Sequence, residues 1–281
     1  MIRTVLLCVL VIIFFMPCVI FKWLLQCNIY TAILITIIFF IIVFVIIVYF
    51  FKNKVMFMPS STLLDINDGK WLKFGNSSVN SSSSLSGYIY QTGSKDIVIF
   101  SHGNGGNLTW YTPITDRLRN RIDVFTYDYP GYGLSEGIPT EESVLGSGLE
   151  AYDLVKSLGY KRIYCYGFSL GGAVTTHIAK HRKVDGMVLQ STFAKISDCV
   201  PIVGKIVVGT QFNSVYNVDS LECPVLIAHS KDDSVVPYES AKALYDAINS
   251  VKYFYDIQGG HNSPPIHSEY YDRIFNQVFL Y

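Results

Sequence analysis

The chain has 281 residues, half of them apolar, and its 22 basic residues balance 22 acidic ones. That balance, with no basic stripe anywhere, excludes the electrostatic footprint of a nucleic-acid binder. The charges are unevenly placed: Thr4 to Phe51 holds almost none, and after Lys52 the composition becomes that of a soluble domain with room for one sizeable core.

Residues 1–54 therefore read as a membrane anchor and residues 55–281 as one catalytic-sized domain. Within the anchor, residues 31–51 form an apolar run without a charge, closed by Lys52 and Lys54. About 20 such residues in a helix cross the roughly 30 Å hydrocarbon core. A buried core helix is the poorer reading, because soluble helices of that length keep a polar face. Residues 4–21, between Arg3 and Lys22, are a second candidate span, and the bulky sequence after them does not look cleavable. If both runs span, they form a hairpin, and Arg3, Lys52 and Lys54 outvote Lys22 to place the domain in the cytoplasm.

Residues 76–86 are rich in Ser and Asn and read as a flexible loop between early strands at Trp71–Phe74 and Gly87–Gln91. Strands then alternate with helices. Strand Asp96–Ser101 precedes a helix from about Asn107 to Arg119, and strand Asp123–Tyr127 precedes one from Glu141 to Ser157. Strand Arg162–Tyr166 precedes a helix from about Gly172, and strand Gly186–Gln190 precedes a helical region after Phe193. Strand Val225–Ala228 precedes a helix near Glu239–Asn249, and strand Val251–Ile257 precedes a terminal helix from about Ser268. This alternation predicts an α/β fold with a mostly parallel sheet covered on both faces, and ligands bind beyond the carboxyl ends of such strands. Ser191 to Glu222 leaves room for a small cap but not for a lid domain. The cysteines show neither a disulfide framework nor a zinc motif, and Cys165 reads as a buried strand residue. Three N-x-S/T sequons begin at Asn76, Asn80 and Asn107.

Gly167-Phe168-Ser169-Leu170-Gly171 lies between a strand and a helix, the context in which G-x-S-x-G forms a nucleophile elbow. A serine hydroxyl needs a base, and the base needs an orienting acid. In a fold of this kind the chain order is nucleophile, acid, base. His261 follows the last strand in a glycine-flanked turn and fits the base better than His102, His177, His181, His229 or His267. Asp232 and Asp233 compete for the acid, the other being left to cap the turn, and Asp128 comes too early and more simply holds its own loop. The backbone N–H groups of Leu170 and of Asn104, in the glycine-rich loop Ser101–Asn107, are the candidate oxyanion donors. No lysine follows that loop as a phosphate-binding Walker loop requires, and no G-x-G-x-x-G is present.

Five stretches carry a resemblance: SHGNGGN at Ser101–Asn107, YDYPGYGLSEG at Tyr127–Gly137, YGFSLGG at Tyr166–Gly172, His229–Pro237, and Gly260-His261-Asn262. Together they resemble the membrane-anchored serine hydrolases of the alpha/beta-hydrolase-domain type, namely the thirteen- and seventeen-type human proteins and their fungal bud-emergence relatives. The similarity runs from about Pro59 to the end. It implies an eight-stranded alpha/beta-hydrolase core and a triad in which the acid aligns with Asp233. The chain departs from the pattern at Ser230, where the family has glycine, and at Pro130, where it usually has arginine.

The expectation is a membrane-anchored hydrolase of an acyl ester or thioester, with Ser169 as nucleophile, His261 as base, Asp233 as acid, and Asn104 and Leu170 at the oxyanion. Such chemistry needs no metal or organic cofactor. The substrate would be an acylated lipid or acylated protein at the membrane. The competing readings are a non-catalytic membrane scaffold, whose mark would be a broken triad, and a serine peptidase, which usually carries a screening domain.

Overall fold

The computed structural model describes residues 28–75, 84–263 and 267–279. The candidate span 4–21 and the sequons at Asn76 and Asn80 lie outside the described residues. By its contacts the chain divides into two compact units, Met1–Lys52 and Asn53–Tyr281.

The described part of the first unit belongs to α1 (Ile29–Met56). Its stretch Ile29–Val48 has a mean hydropathy of 3.4 with none of it buried, and is long and apolar enough to cross a membrane. A helix suits that solvent because all its backbone hydrogen bonds close within the segment. The division falls two residues before the boundary expected from composition, and the last turn of α1 belongs to the second unit. Met56 O accepts a 2.7 Å hydrogen bond from Asn104 Nδ2.

The second unit is built on an eight-stranded sheet. In chain order its strands are β2 (Lys70–Phe74), β3 (Leu85–Tyr90), β4 (Asp96–Ser101), β6 (Asp123–Tyr127), β7 (Arg162–Phe168), β8 (Gly186–Gln190), β9 (Val225–Ser230) and β10 (Lys252–Ile257). Their spatial order is β10-β9-β8-β7-β4-β6-β3-β2. Within this sheet the β2–β3 and β3–β6 pairings are antiparallel and the others among the described residues are parallel. A separate parallel pair joins β1 (Met58–Pro59) to β5 (Gly105–Gly106).

β4, β6, β8 and β9 are buried at every residue, which explains why they read as continuous apolar runs rather than as alternation. Helices cover both faces: α2 (Thr112–Arg119), α3 (Glu141–Ser157), α4 (Leu170–His181), α7 (Tyr238–Ala247) and α8 (Ser268–Arg273). α3 starts where it does because Thr140 and Ser143 form a reciprocal capping box, with Glu141 and Glu142 in the first turn. Two apolar clusters fill the layers above and below the sheet, one including Phe125, Cys165 and Leu189, the other Phe100, Tyr166 and Phe275. Cys165 is fully buried.

The helix expected over 107–119 is two pieces. Leu108–Tyr111 is a tight turn whose N-cap, Asn107, accepts from Thr109 N, and α2 begins only at Thr112. Pro113, within the first turn of α2, has no N–H for a preceding carbonyl, so one continuous helix cannot run through it. The region after Phe193 holds a short turn at Ile196–Cys199 and two short helices, α5 (Ile202–Val208) and α6 (Val215–Val218).

Candidate active site

Ser169 sits between β7 and α4 with φ 52 and ψ −117, outside the regions a non-glycine residue prefers. Such a conformation costs on the order of 1–3 kcal/mol and persists only where its surroundings fix it. Here Ser169 N donates to Gln190 O at 2.9 Å, and Ser169 O accepts from Gly172 N at 2.9 Å and from the buried Thr192 hydroxyl at 2.7 Å. Close packing demands the flanking glycines. A Cβ on Gly171 would run into the Ser101 carbonyl, and one on Gly167 into the Gly171 backbone.

His261 stands in the turn after β10. Its Nε2 lies 3.0 Å from Ser169 Oγ, and its Nδ1 lies 2.8 Å from Asp233 Oδ2. A carboxylate only accepts, so Nδ1 carries the proton and Nε2 is free to take the serine's. Asp233 is 9% exposed. Burial opposes its charge, but hydrogen bonds from His261 and from the Val236 and Val235 N–H groups outweigh burial and hold its pKa below the ordinary carboxylate value. Asp232 is exposed, and its side chain does not cap the turn as expected of the second aspartate. Asp233 Oδ1 does so itself, accepting from Val235 N at 2.9 Å and Val236 N at 2.8 Å. Ser230, in place of the family's glycine, accepts from Asp232 N through its hydroxyl at 3.0 Å.

Leu170 opens α4, and the N–H of a helix's first residue has no partner within the helix. Asn104 lies in the loop between β4 and β5. Leu170 and Asn104 line the same cavity as Ser169 and His261, a space of about 690 Å³ with mostly apolar walls. Phe193, Ile196, Cys199 and Val200 of the small cap, together with Val207 and Val208 of α5, close one side of it. Met56, Phe57 and Met58 contribute another wall. The arrangement can activate a hydroxyl and hold an apolar group beside the reacting centre. Among the described residues no cluster of three or more His, Cys, Asp or Glu could hold a metal ion.

Two buried histidines escape a reading by spacing alone. His102 has no exposure, donates through Nδ1 to Gly103 O at 2.7 Å, and its Nε2 lies 3.7 Å from Asp128. Burial pulls its pKa down to about 4, and burial likewise pushes Asp128 up to about 6. Asp128 holds more than its own loop: Oδ1 accepts from Leu108 N at 2.7 Å, across the glycine-rich loop. His229 donates through Nε2 to Val236 O at 3.0 Å and lies 3.6 Å from Asp233, bracing the turn that carries the acid. Tyr129 and Tyr132 also reach the glycine-rich loop, through His102 O at 2.5 Å and Asn104 Oδ1 at 2.9 Å. Their only sequence signal is the tyrosine density of YDYPGYG. His177 and His181 pair with each other on α4 and take no part in the site.

Residues 96–211 match the family described as alpha/beta hydrolase fold, and residues 163–271 match the one described as serine hydrolase (FSH1). The chain is 28% identical to alpha/beta hydrolase domain-containing protein 17C of Xenopus tropicalis, over 65% of this chain and 61% of that one. It is 31% identical to the lysophosphatidylserine lipase ABHD12 of Danio rerio, over 54% of this chain and 47% of that one. It spans about half to two thirds of the length of the curated relatives it matches. Among solved structures, an esterase from Pyrococcus furiosus superposes with a TM-score of 0.65 at 16% identity, covering 79% of this chain and 94% of the other, a likeness of fold.

Proposed function

Because the chain belongs to the alpha/beta-hydrolase superfamily, we propose that it is a membrane-anchored serine hydrolase that cleaves an acyl ester or thioester through an acyl-enzyme. The observation that carries this reading is the unbroken hydrogen-bonded line from Asp233 through His261 to Ser169 at the wall of an apolar cavity. Ser169 Oγ attacks the substrate carbonyl while His261 Nε2 takes its proton. Asp233 stays ionised and stabilises the imidazolium. The oxyanion accepts from the Leu170 and Asn104 N–H groups, and each such donor is worth about 10²–10³ in rate. Collapse expels the alcohol or thiol, which takes the proton from His261. Water then repeats the sequence on the acyl-serine.

The cavity favours an acyl substrate over a small polar one. A water's share of the liquid is about 30 Å³ and a methylene is similar in size, so 690 Å³ takes on the order of twenty such groups. The lipase activity in a relative's name, and the apolar helix at the start of the domain, favour a lipid or acyl-protein ester presented at a membrane. The intact Ser-His-Asp line argues against a scaffold that kept only the fold.

The test is labelling of the detergent-solubilised chain by a fluorophosphonate, followed by hydrolysis of p-nitrophenyl esters. The parent is expected to label and to turn over, and Ser169→Ala to do neither while unfolding at the same temperature. Full turnover by Ser169→Ala would reject the assignment.

A further inference from the structure

A donor that must meet a developing oxyanion has to be held to within about half an ångström. The loop that carries the Asn104 N–H is poorly equipped for that by itself. Gly103, Gly105 and Gly106 surround Asn104, Gly106 at φ 82, and glycine confers no backbone stiffness. The rigidity comes from outside. Asn104 Nδ2 donates to Met56 O, in the last turn of α1, at 2.7 Å. Asn104 Oδ1 accepts from the Tyr132 hydroxyl at 2.9 Å, and the Met58 backbone lies against that same hydroxyl. Met58 and Pro59 then pair in parallel with Gly105 and Gly106, and Ser60 N donates to Gly106 O at 3.0 Å. Asn107, fully buried, fastens the far end by donating to Ser60 O at 3.0 Å and Thr62 O at 2.8 Å.

We propose that the segment Met56–Thr62, which leads out of the apolar helix, is the device that positions the oxyanion loop, and that the Asn104 and Tyr132 side chains are the positioning residues linking the two. The inference rests on the hydrolase reading above. It assigns the exit of the anchor a role in the rate of the chemical step, beyond tethering. Asn104 then acts twice, with its backbone N–H toward the oxyanion and its side chain toward the strap.

The experiment uses the full chain in detergent and a short ester, p-nitrophenyl acetate, that makes little use of the cavity. Asn104→Ala keeps the backbone N–H and loses the strap. Its kcat is expected to fall about tenfold to a hundredfold, short of or equal to the loss of a whole donor, with KM unchanged, since an interaction made only in the transition state moves kcat alone. Tyr132→Phe should fall less. The double variant should be no slower than Asn104→Ala, because both act through one link. Thermal unfolding midpoints read in parallel separate positioning from folding. Parental kcat in Asn104→Ala, losses that multiply in the double variant, or a loss that tracks a lowered midpoint would each overturn the inference. A parent that neither turns over nor labels at Ser169 overturns the hydrolase reading beneath it instead.

Discussion

Asp233 does two jobs with its two oxygens, turning the imidazole with one and closing its own turn with the other. Asp233→Asn is expected to lower kcat by about 10³–10⁴, because an amide can hold the wrong tautomer of His261. Asp232→Asn, at an exposed position, should stay within about twofold; ester hydrolysis by both variants checks the pair. His102 yields a prediction of a different kind. Its folded pKa of about 4 lies below the unfolded value of about 6.5. Between those two pH values the unfolded chain binds a proton that the folded chain refuses, so stability from this group rises with pH. The stability difference between the parent and His102→Phe should therefore grow in the parent's favour from pH 4 to pH 6.5 in denaturant unfolding. Asp128, raised to about 6, works in the opposite sense over much of that range, and is present in both proteins.

At the scale of elements, the elbow is the least forgiving part. Gly171→Ala would press a methyl group on the β4 backbone at Ser101, where no flexible side chain can yield. A loss of about 2–3 kcal/mol or more is expected, seen as a failure to accumulate folded protein or a lowered midpoint. Gly146→Ala is the counterpart. It lies inside α3 with nothing near its missing Cβ, and should gain about 0.4–1 kcal/mol by relieving backbone entropy. The same elements show what the sequence could and could not tell. Buried parallel strands such as Asp96–Ser101 and Gly186–Gln190 have uninterrupted apolar centres and were readable residue for residue. The break at Tyr111 was not, because the cap at Asn107 and the proline at 113 are local chemistry inside an otherwise helical pattern.

Across the whole molecule, chain order pointed to the elbow serine and to a histidine after the last strand, 92 positions away, but left Asp232 and Asp233 open, and only the resemblance chose Asp233. The strap was illegible for a physical reason. Asn104 meets Met56 across 48 positions through a backbone carbonyl, a group every residue carries and no composition reveals. The same holds for the cavity wall formed by Phe57 and Met58, whose apolar side chains look like the ordinary end of a hydrophobic run. Anchoring through α1 is a proposal testable on native membranes: the full chain is expected in the pellet after alkaline carbonate washing, and release into the supernatant would count against a spanning helix.

Asn107 has one more consequence. It heads a glycosylation sequon, yet its amide nitrogen is spoken for by two carbonyls and has no exposed surface. A sugar on that nitrogen would displace a shared hydrogen and demand an exit through packed protein. Transfer of an oligosaccharide there requires a chain that has not yet closed, and the closed packing around Asn107 has no place for one.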